Sequence, residues 1–356
     1  MTTNLNIFLF FPVLLILLLF NSCSSSESFY ISDDELQDLD KPTPEVIESA
    51  VSDSIINQNL ITDIDSLMSS MTLREKIGQL FAVPVYGNFQ NERAMGRQRL
   101  KRLIVENNIG GVIFMSGNIY DQVILTNKLQ RISKIPLWVT QDMEFGAAMR
   151  VSGTTRFTPA MGIAATGKRT NAYLKGKITA REANALGVHQ IFAPVLDVNN
   201  NPENPVINVR SFSANPNVVG EFGQYFIDGV QSEGILATAK HFPGHGDTDT
   251  DSHLALPTID HKYERIESLE LVPFRVTIDN GLTSVMSAHI AYPKISSEVG
   301  LPGTLDESIL NRILVDSLGF KGLIVTDGLD MKGITSSFSP GDAVVRALKA
   351  GADLML

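Results

Sequence analysis

The stretch Gly234–His253, GILATAKHFPGHGDTDTDSH, joins two opposite kinds of sequence. Its first part, Gly234–Ala239, is a short apolar run of the kind a buried parallel strand produces. From Lys240 onward, fourteen residues hold three histidines, three aspartates and a lysine around Pro243, Gly244 and Gly246. A Pro-Gly-His-Gly centre suits neither helix nor strand, so this part reads as a loop. Polar groups packed this densely where a buried strand ends are costly to place unless they perform chemistry. The stretch therefore predicts a strand whose C-terminal end opens into a functional loop.

The same arrangement recurs along the chain. Apolar runs occur at Leu80–Val85, Gly111–Met115, Leu137–Gln141, Gln190–Ala193, Ala237–His241, Ser284–Ala288, Gly322–Thr326 and Ala352–Leu356. Helical patterns lie between most of them, at Leu73–Leu80, Asp121–Ile132, Thr170–Gly187, Pro216–Ser232, Tyr263–Asp279, Ser308–Leu318 and Gly341–Ala350. Eight such units predict an α/β fold with a parallel sheet, and in this length a TIM (β/α)8 barrel rather than an open sheet. Polar residues fall repeatedly at the strand ends: Asp142 and Glu144, Asp197 and Asn199, Lys240 and His241, His289, and Asp327. In a barrel these would converge on one mouth, where active sites of this fold lie. Leu356 falls inside the eighth run, so the barrel is expected to lack its final helix and to leave an apolar strand face uncovered.

Of the 356 residues 44% are hydrophobic and 19% charged, enough apolar material for a sizeable core. The formal charge of −10 is concentrated near the start: Ser24–Ile56 carries nine acids against Lys41 alone. The remainder is close to balanced and has no basic stripe, so a nucleic-acid partner is not expected. Ile7–Phe20 is apolar except for Pro12, too short to span a membrane comfortably and suited to a secretory signal. Cys23 is the single cysteine, which excludes an intramolecular disulfide. A lone cysteine behind such a run resembles a bacterial lipoprotein signal. It implies lipidation at Cys23, export, and a lipid anchor on a bacterial membrane, periplasmic or at the cell surface. The run lacks a preceding Lys or Arg, and Phe20 stands where a small aliphatic residue is usual. The expected organisation is a signal peptide over 1–22, an acidic tether over 23–60 and a catalytic domain over 61–356.

From about Met71 onward the chain resembles glycoside hydrolase family 3, and within it the β-N-acetylhexosaminidase branch. Four motifs carry the resemblance in order: MTLREKIGQL (Met71–Leu80), APVLDVNNNPENPVINVRSF (Ala193–Phe212), KHFPGHGDTDTDSH (Lys240–His253) and IVTDGLDM (Ile324–Met331). The resemblance implies that Asp327 is the nucleophile of a double displacement, forming a covalent glycosyl-enzyme. It further implies that His253 is the acid/base, in place of the second carboxylic acid most retaining glycosidases use, with Asp251 orienting it. An imidazole suits the task because its ordinary pKa lies near neutrality. Lys240, His241, Arg210, Asp142 and Arg150 match sugar-binding positions. His245, Asp247 and Asp249 are expected to shape the loop, and Asn199, Asn200, Asn201 and Asn204 to brace the one before it. The implied substrate is a terminal β-linked N-acetylglucosamine, in glycans or peptidoglycan fragments. No metal or organic cofactor is expected, since side chains fill every proton and nucleophile role.

The family pattern Asp-x-Glu-Gly-Gly-Arg is altered here to Asp142-Met143-Glu144-Phe145-Gly146-Ala147, and Asn208 replaces a common glycine. Three rival readings stand beside the main one. His241, His245, Asp247, Asp251 and His253 include metal-ligand types and would suit a metallohydrolase. A β-glucosidase or β-xylosidase of the same family would act on a different sugar. An incomplete barrel could instead serve as a sugar-binding or scaffold module without turnover.

Overall fold

The computed structural model describes residues 63–356. The signal segment, Cys23 and the acidic tether expected over 23–60 lie outside them. The described part is a curled, wholly parallel α/β sheet. Its strands are β1 (Ala82–Gly87), β2 (Gly111–Asn118), β3 (Trp138–Gln141), β4 (Val151–Ser152), β5 (Gln190–Ile191), β6 (Leu236–Phe242), β7 (Ser284–Ser287) and β8 (Leu323–Thr326). The order is β1-β2-β3-β5-β6-β7-β8, with the short β4 attached to the end of β2. Every pairing between strands is parallel.

Seven of the eight apolar runs are therefore strands. The eighth, Ala352–Leu356, contributes isolated pairings on both sides. Val325 of β8 pairs with Leu354, and Met355 pairs with Phe81, just before β1. The Asp353 N–H donates to Ile324 O at 2.8 Å, and the Ala82 N–H donates to Met355 O at 3.0 Å. The uncovered apolar face expected here is not found, because Leu354 and Met355 are both buried. They point to opposite sides, as alternate residues of an extended segment must. Leu354 joins a small inner cluster with Ala82, Ile113, Phe192, Met286 and Val325, while Met355 joins the large outer core.

That inner cluster takes one residue from or beside each of several strands, which is what the concave side of a curled sheet demands. Polar side chains share the interior by pairing with one another. Gln190 of β5 donates to Thr238 of β6 (2.8 Å) and Ser284 of β7 (2.9 Å), and accepts from the Trp138 indole (2.7 Å). The outer core lies between the sheet and the helices, with Phe242 of β6 meeting Phe274 edge-on at 5.1 Å.

The helices are α1 (Leu73–Gly78), α2 (Met95–Val105), α3 (Ile119–Ile132), α4 (Ala160–Ala164), α5 (Arg169–Ala185), α6 (Pro216–Gln231), α7 (Tyr263–Ser268), α8 (Leu271–Asp279), α9 (Lys332–Thr335) and α10 (Pro340–Ala350). A π-helical stretch covers Ser308–Ser317. Residues chosen for their end chemistry set several boundaries. Thr72 and Glu75 form a capping box on α1, Asn118 caps α3, and Ser339 followed by Pro340 starts α10. The single helix expected over Tyr263–Asp279 is two, because Pro273 cannot donate to the carbonyl of Leu269 and its ring would crowd it. Among the described residues no helix is long and apolar enough to cross a membrane.

Candidate functional site

The C-terminal ends of β3, β5, β6, β7 and β8 bring the predicted polar residues to one end of the sheet. The densest part centres on Lys240, buried near the end of β6. Its ammonium lies 2.8 Å from Asp142 Oδ1 and 2.7 Å from Glu144 Oε1. Asp142 also meets Arg150 Nη2 at 2.5 Å, and Glu144 receives a two-pronged bond from Arg210 through Nε (2.9 Å) and Nη2 (2.8 Å). Arg210 Nη2 stands 3.4 Å from His241 Nε2, and His241 Nδ1 lies 2.7 Å from Asp197 Oδ2. All five residues expected to bind sugar thus form one continuous network.

Two carboxylates complete that network without having been assigned a site role from sequence. Glu144 and Asp197 are buried, the first pairing with Lys240 and Arg210 and the second with His241. The sequence signal for Glu144 was its spacing: it follows Asp142 by two residues, so an extended backbone turns both to one side. Asp197 was visible as a strand-end polar residue. It also accepts the backbone N–H of His241 (3.2 Å) and of His245 (2.6 Å), fixing the whole turn after β6.

Burial alone would raise the carboxyls of Asp142 and Glu144. Lys240 together with Arg150 at the first, and with Arg210 at the second, outweighs it and holds both below the usual carboxylate range. Burial would likewise lower Lys240, but the two acids raise it, so the ammonium stays charged. The altered third-strand motif has a visible consequence. Ala147 is fully buried, and the guanidinium facing Asp142 comes from Arg150, three residues further on. Nε of Arg150 has no hydrogen-bond partner among the described residues.

Asp327 follows β8 directly. Its Oδ1 accepts the Gly328 N–H at 2.8 Å. Burial would raise this carboxyl, but His289, His241, the Gly328 N–H and Lys240 outweigh it and hold it low. An ionised carboxylate, partly accessible at a strand end and close to cations, can act as a nucleophile.

The loop after β6 carries the third group. Asp251 Oδ1 accepts the backbone N–H of His253 at 2.8 Å and faces its Nδ1 at 2.8 Å. Burial of Asp251 is outweighed by these two bonds, which keep the carboxyl below its usual range. An ionised acceptor requires the proton on Nδ1, leaving Nε2 to exchange protons with a substrate. The His253 side chain is 63% exposed, and no hydrogen bond joins it to Asp327. The loop bearing the pair is tied to α9, which follows Asp327 in the chain: the Gly333 N–H donates to Ser252 O at 3.1 Å.

Of the residues expected to shape this loop, His245 and Asp247 are engaged within it, while among the described residues Asp249 accepts only from the adjacent Thr250 hydroxyl. His245 meets the Thr248 hydroxyl at 2.8 Å and the Ser252 hydroxyl at 3.1 Å, and burial lowers its pKa to about 4, so it is neutral. Asp247 pairs with His261 (2.7 Å) and Arg265 (3.6 Å). Asn204 donates to the carbonyls of His245 (2.8 Å) and Gly246 (3.1 Å), while Asn201 donates to Thr248 O (3.3 Å). Gly246 is obligatory at this junction, since an added Cβ would lie 1.7 Å from Val198 O. Of the five residues of the metal-centre reading, Asp251 and His253 pair with each other, while His241, His245 and Asp247 are held by Asp197, by Thr248 and Ser252, and by His261 and Arg265. Among the described residues no three His, Cys, Asp or Glu side chains are grouped as metal ligands.

Residues 72–356 match the family model described as "Glycosyl hydrolase family 3 N terminal domain". The chain belongs to glycosyl hydrolase family 3. It is 39% identical over 280 residues to a protein of Pseudoalteromonas piscicida named beta-hexosaminidase A, covering 72% of this chain and 47% of that one. It is 32% identical over 301 residues to a Cellulomonas fimi protein named beta-N-acetylglucosaminidase/beta-glucosidase, covering 82% and 52%. A solved family 3 structure, a beta-N-acetylglucosaminidase from Paenibacillus, superposes with a TM-score of 0.74 at 38% identity, covering 81% and 55%. The chain spans about half the length of these relatives.

Proposed function

We infer that this chain is a retaining β-N-acetylhexosaminidase domain built on a TIM barrel, removing terminal β-linked N-acetylglucosamine. In this reading Asp327 attacks the anomeric carbon while Nε2 of His253 protonates the departing oxygen, giving a covalent glycosyl-enzyme. His253 then takes a proton from water as that water displaces Asp327. Asp251 holds the imidazole in the required tautomer throughout. Asp142, Arg150, Lys240, His241 and Arg210 hold the sugar hydroxyls, with Glu144 and Asp197 keeping the cations and His241 in place. The exchanging groups are all side chains, so the reading needs no metal or organic cofactor.

The observation that carries the reading is the hydrogen-bonded Asp251–His253 pair on the loop after β6, at the sheet end that also holds Asp327. The names of the relatives, hexosaminidase and N-acetylglucosaminidase, favour the same sugar. Barrel closure is supported by the pairing of Leu354 and Met355 with opposite edges of the strand order. Asp327 needs a second group on the far side of the bond it would break, the place His253 takes in this reading.

The apolar run Ile7–Phe20 and the lone Cys23 support export and lipid anchoring to a bacterial membrane, with the acidic segment as the leash. Extracytoplasmic glycans or peptidoglycan fragments are then the accessible substrates. The relative named for both activities makes β-glucoside the alternative sugar. The test is turnover of nitrophenyl N-acetyl-β-glucosaminide against the glucoside, in the parent and in His253→Ala. Preferential cleavage of the N-acetyl sugar, sharply reduced in the variant, supports the reading. Equal cleavage of both, or no change in the variant, refutes it.

A further inference from the structure

His289 stands just past the end of β7, almost fully buried, and the mechanism above does not use it. Its Nε2 lies 2.9 Å from Gly328 O, and its Nδ1 lies 2.8 Å from the Thr304 hydroxyl. A carbonyl only accepts, so Nε2 must carry the hydrogen. The neighbouring Gly328 N–H is the group that binds Asp327 Oδ1. Gly328 is therefore gripped at both ends, by the nucleophile position through its N–H and by His289 through its carbonyl.

The support behind His289 is equally connected. The Thr304 backbone N–H donates to Ala288 O at 3.2 Å, and Ser287 Oγ lies 3.0 Å from Thr304 Oγ1. On the other side α9 approaches so closely that a Cβ on Gly333 would lie 3.2 Å from His289 Cβ and 3.1 Å from Ser252 O. His289 thus touches the element between the Asp327 loop and the loop bearing His253. Burial pushes its pKa down, against the pull of the Asp327 carboxylate and the Gly328 bond, which raise it.

We propose that His289 is a positioning residue for the nucleophile: by holding Gly328 O it fixes the backbone whose N–H orients the Asp327 carboxylate. This rests on the reading of Asp327 given above. The ring donates to Gly328 O through Nε2 and is braced at Nδ1 by the Thr304 hydroxyl, which also reaches Ala288 O at 3.0 Å, and no proton leaves the ring during the reaction. Its loss frees the 327–331 turn and misplaces the carboxylate without removing any group that contacts sugar.

The experiment compares the full chain with His289→Ala and His289→Gln, the glutamine amide being able to replace Nε2–H as donor. Hydrogen exchange read by mass spectrometry is expected to speed up by about tenfold at 327–331 in the alanine variant, with α6 unchanged. The kcat for nitrophenyl N-acetyl-β-glucosaminide is expected to fall about 10- to 100-fold with KM within about threefold. Glutamine restores both toward the parent. Unchanged exchange in a folded alanine variant, or a glutamine variant as defective as alanine, overturns the proposal. If alanine prevents folding, Thr304→Val, which leaves His289 in place without its hydroxyl partner, must loosen the same turn; an unaltered turn overturns the proposal as well. A parent inactive on the N-acetyl sugar defeats the substrate reading alone, because exchange at 327–331 still decides whether His289 holds the turn.

Discussion

Asp251 engages His253 twice through one oxygen, Oδ1, which accepts the histidine's backbone N–H and faces its Nδ1, each at 2.8 Å. The backbone bond fixes where the ring starts, and the side-chain bond fixes how it turns. Asp251→Ala removes both and should lower kcat by roughly 10- to 100-fold, within the range general acid–base catalysis supplies. It should also change the pH–rate profile. A kinetic titration of both proteins checks this, and superimposable profiles would refute the pairing as an acid/base device.

The Lys240 ammonium serves two buried carboxylates, Asp142 and Glu144. Lys240→Met would leave Asp142 with Arg150 and Glu144 with Arg210 but remove the shared cation between like charges. Breaking a buried pair typically costs about 3–5 kcal/mol. Urea denaturation at pH 7 should show a loss of that order. Because the two acids have folded pKa values held below the ordinary value of about 4, the stability they confer is present above that pH and lost as pH falls below it. In Lys240→Met the acid loss should begin at higher pH.

His245 adds a second loss of stability on acidification. Its pKa is lowered to about 4 in the fold against about 6.5 unfolded, so between those values the unfolded chain binds more protons. Stability is therefore full above about pH 6.5 and declines as pH falls toward 4, by about 3 kcal/mol for this group alone. His245→Gln should flatten the difference between denaturation free energies at pH 7.5 and 4.5. An undiminished difference would show that His245 is not the neutral buried ring described above.

Lys175 of α5 is buried with one hydrogen bond, to Thr158 O at 3.1 Å, and burial lowers its pKa to about 8. Below pH 8 the fold bears the cost of a poorly paired charge, and above the unfolded value of about 10.4 that cost disappears. Lys175→Met should accordingly stabilise the protein by about 1–3 kcal/mol at pH 7 and by less at pH 9.5. Denaturation at both pH values reads the sign directly; destabilisation at pH 7 would contradict it.

What the sequence revealed and what it hid follow from the same physics. Buried parallel strands are nearly continuous apolar runs, so β1–β3 and β5–β8 could be read one by one, and the strand-end polar residues gave the shared mouth. Helix α2 escaped notice because only Leu100 and Ile104 are buried in a segment carrying four basic residues. Ser308–Ser317 was legible as a helix, but its π-type hydrogen bonding and the two-residue β4 depend on tertiary packing and leave no local pattern. In the site, side chains matching the motif positions were legible individually. Glu144, Asp197 and His289 were visible as strand-end polars, but their roles are relations: each matters for the residue it holds, which only the folded backbone brings near.

The central claim, hydrolysis of β-linked N-acetylglucosamine with retention through Asp327, is tested most directly by proton NMR of the first-formed product. The full chain, given nitrophenyl N-acetyl-β-glucosaminide, should release N-acetylglucosamine whose initial anomeric signal is β, converting to the α/β mixture only by mutarotation, and Asp327→Ala should release none. An α signal appearing first, or release undiminished in Asp327→Ala, would contradict the account.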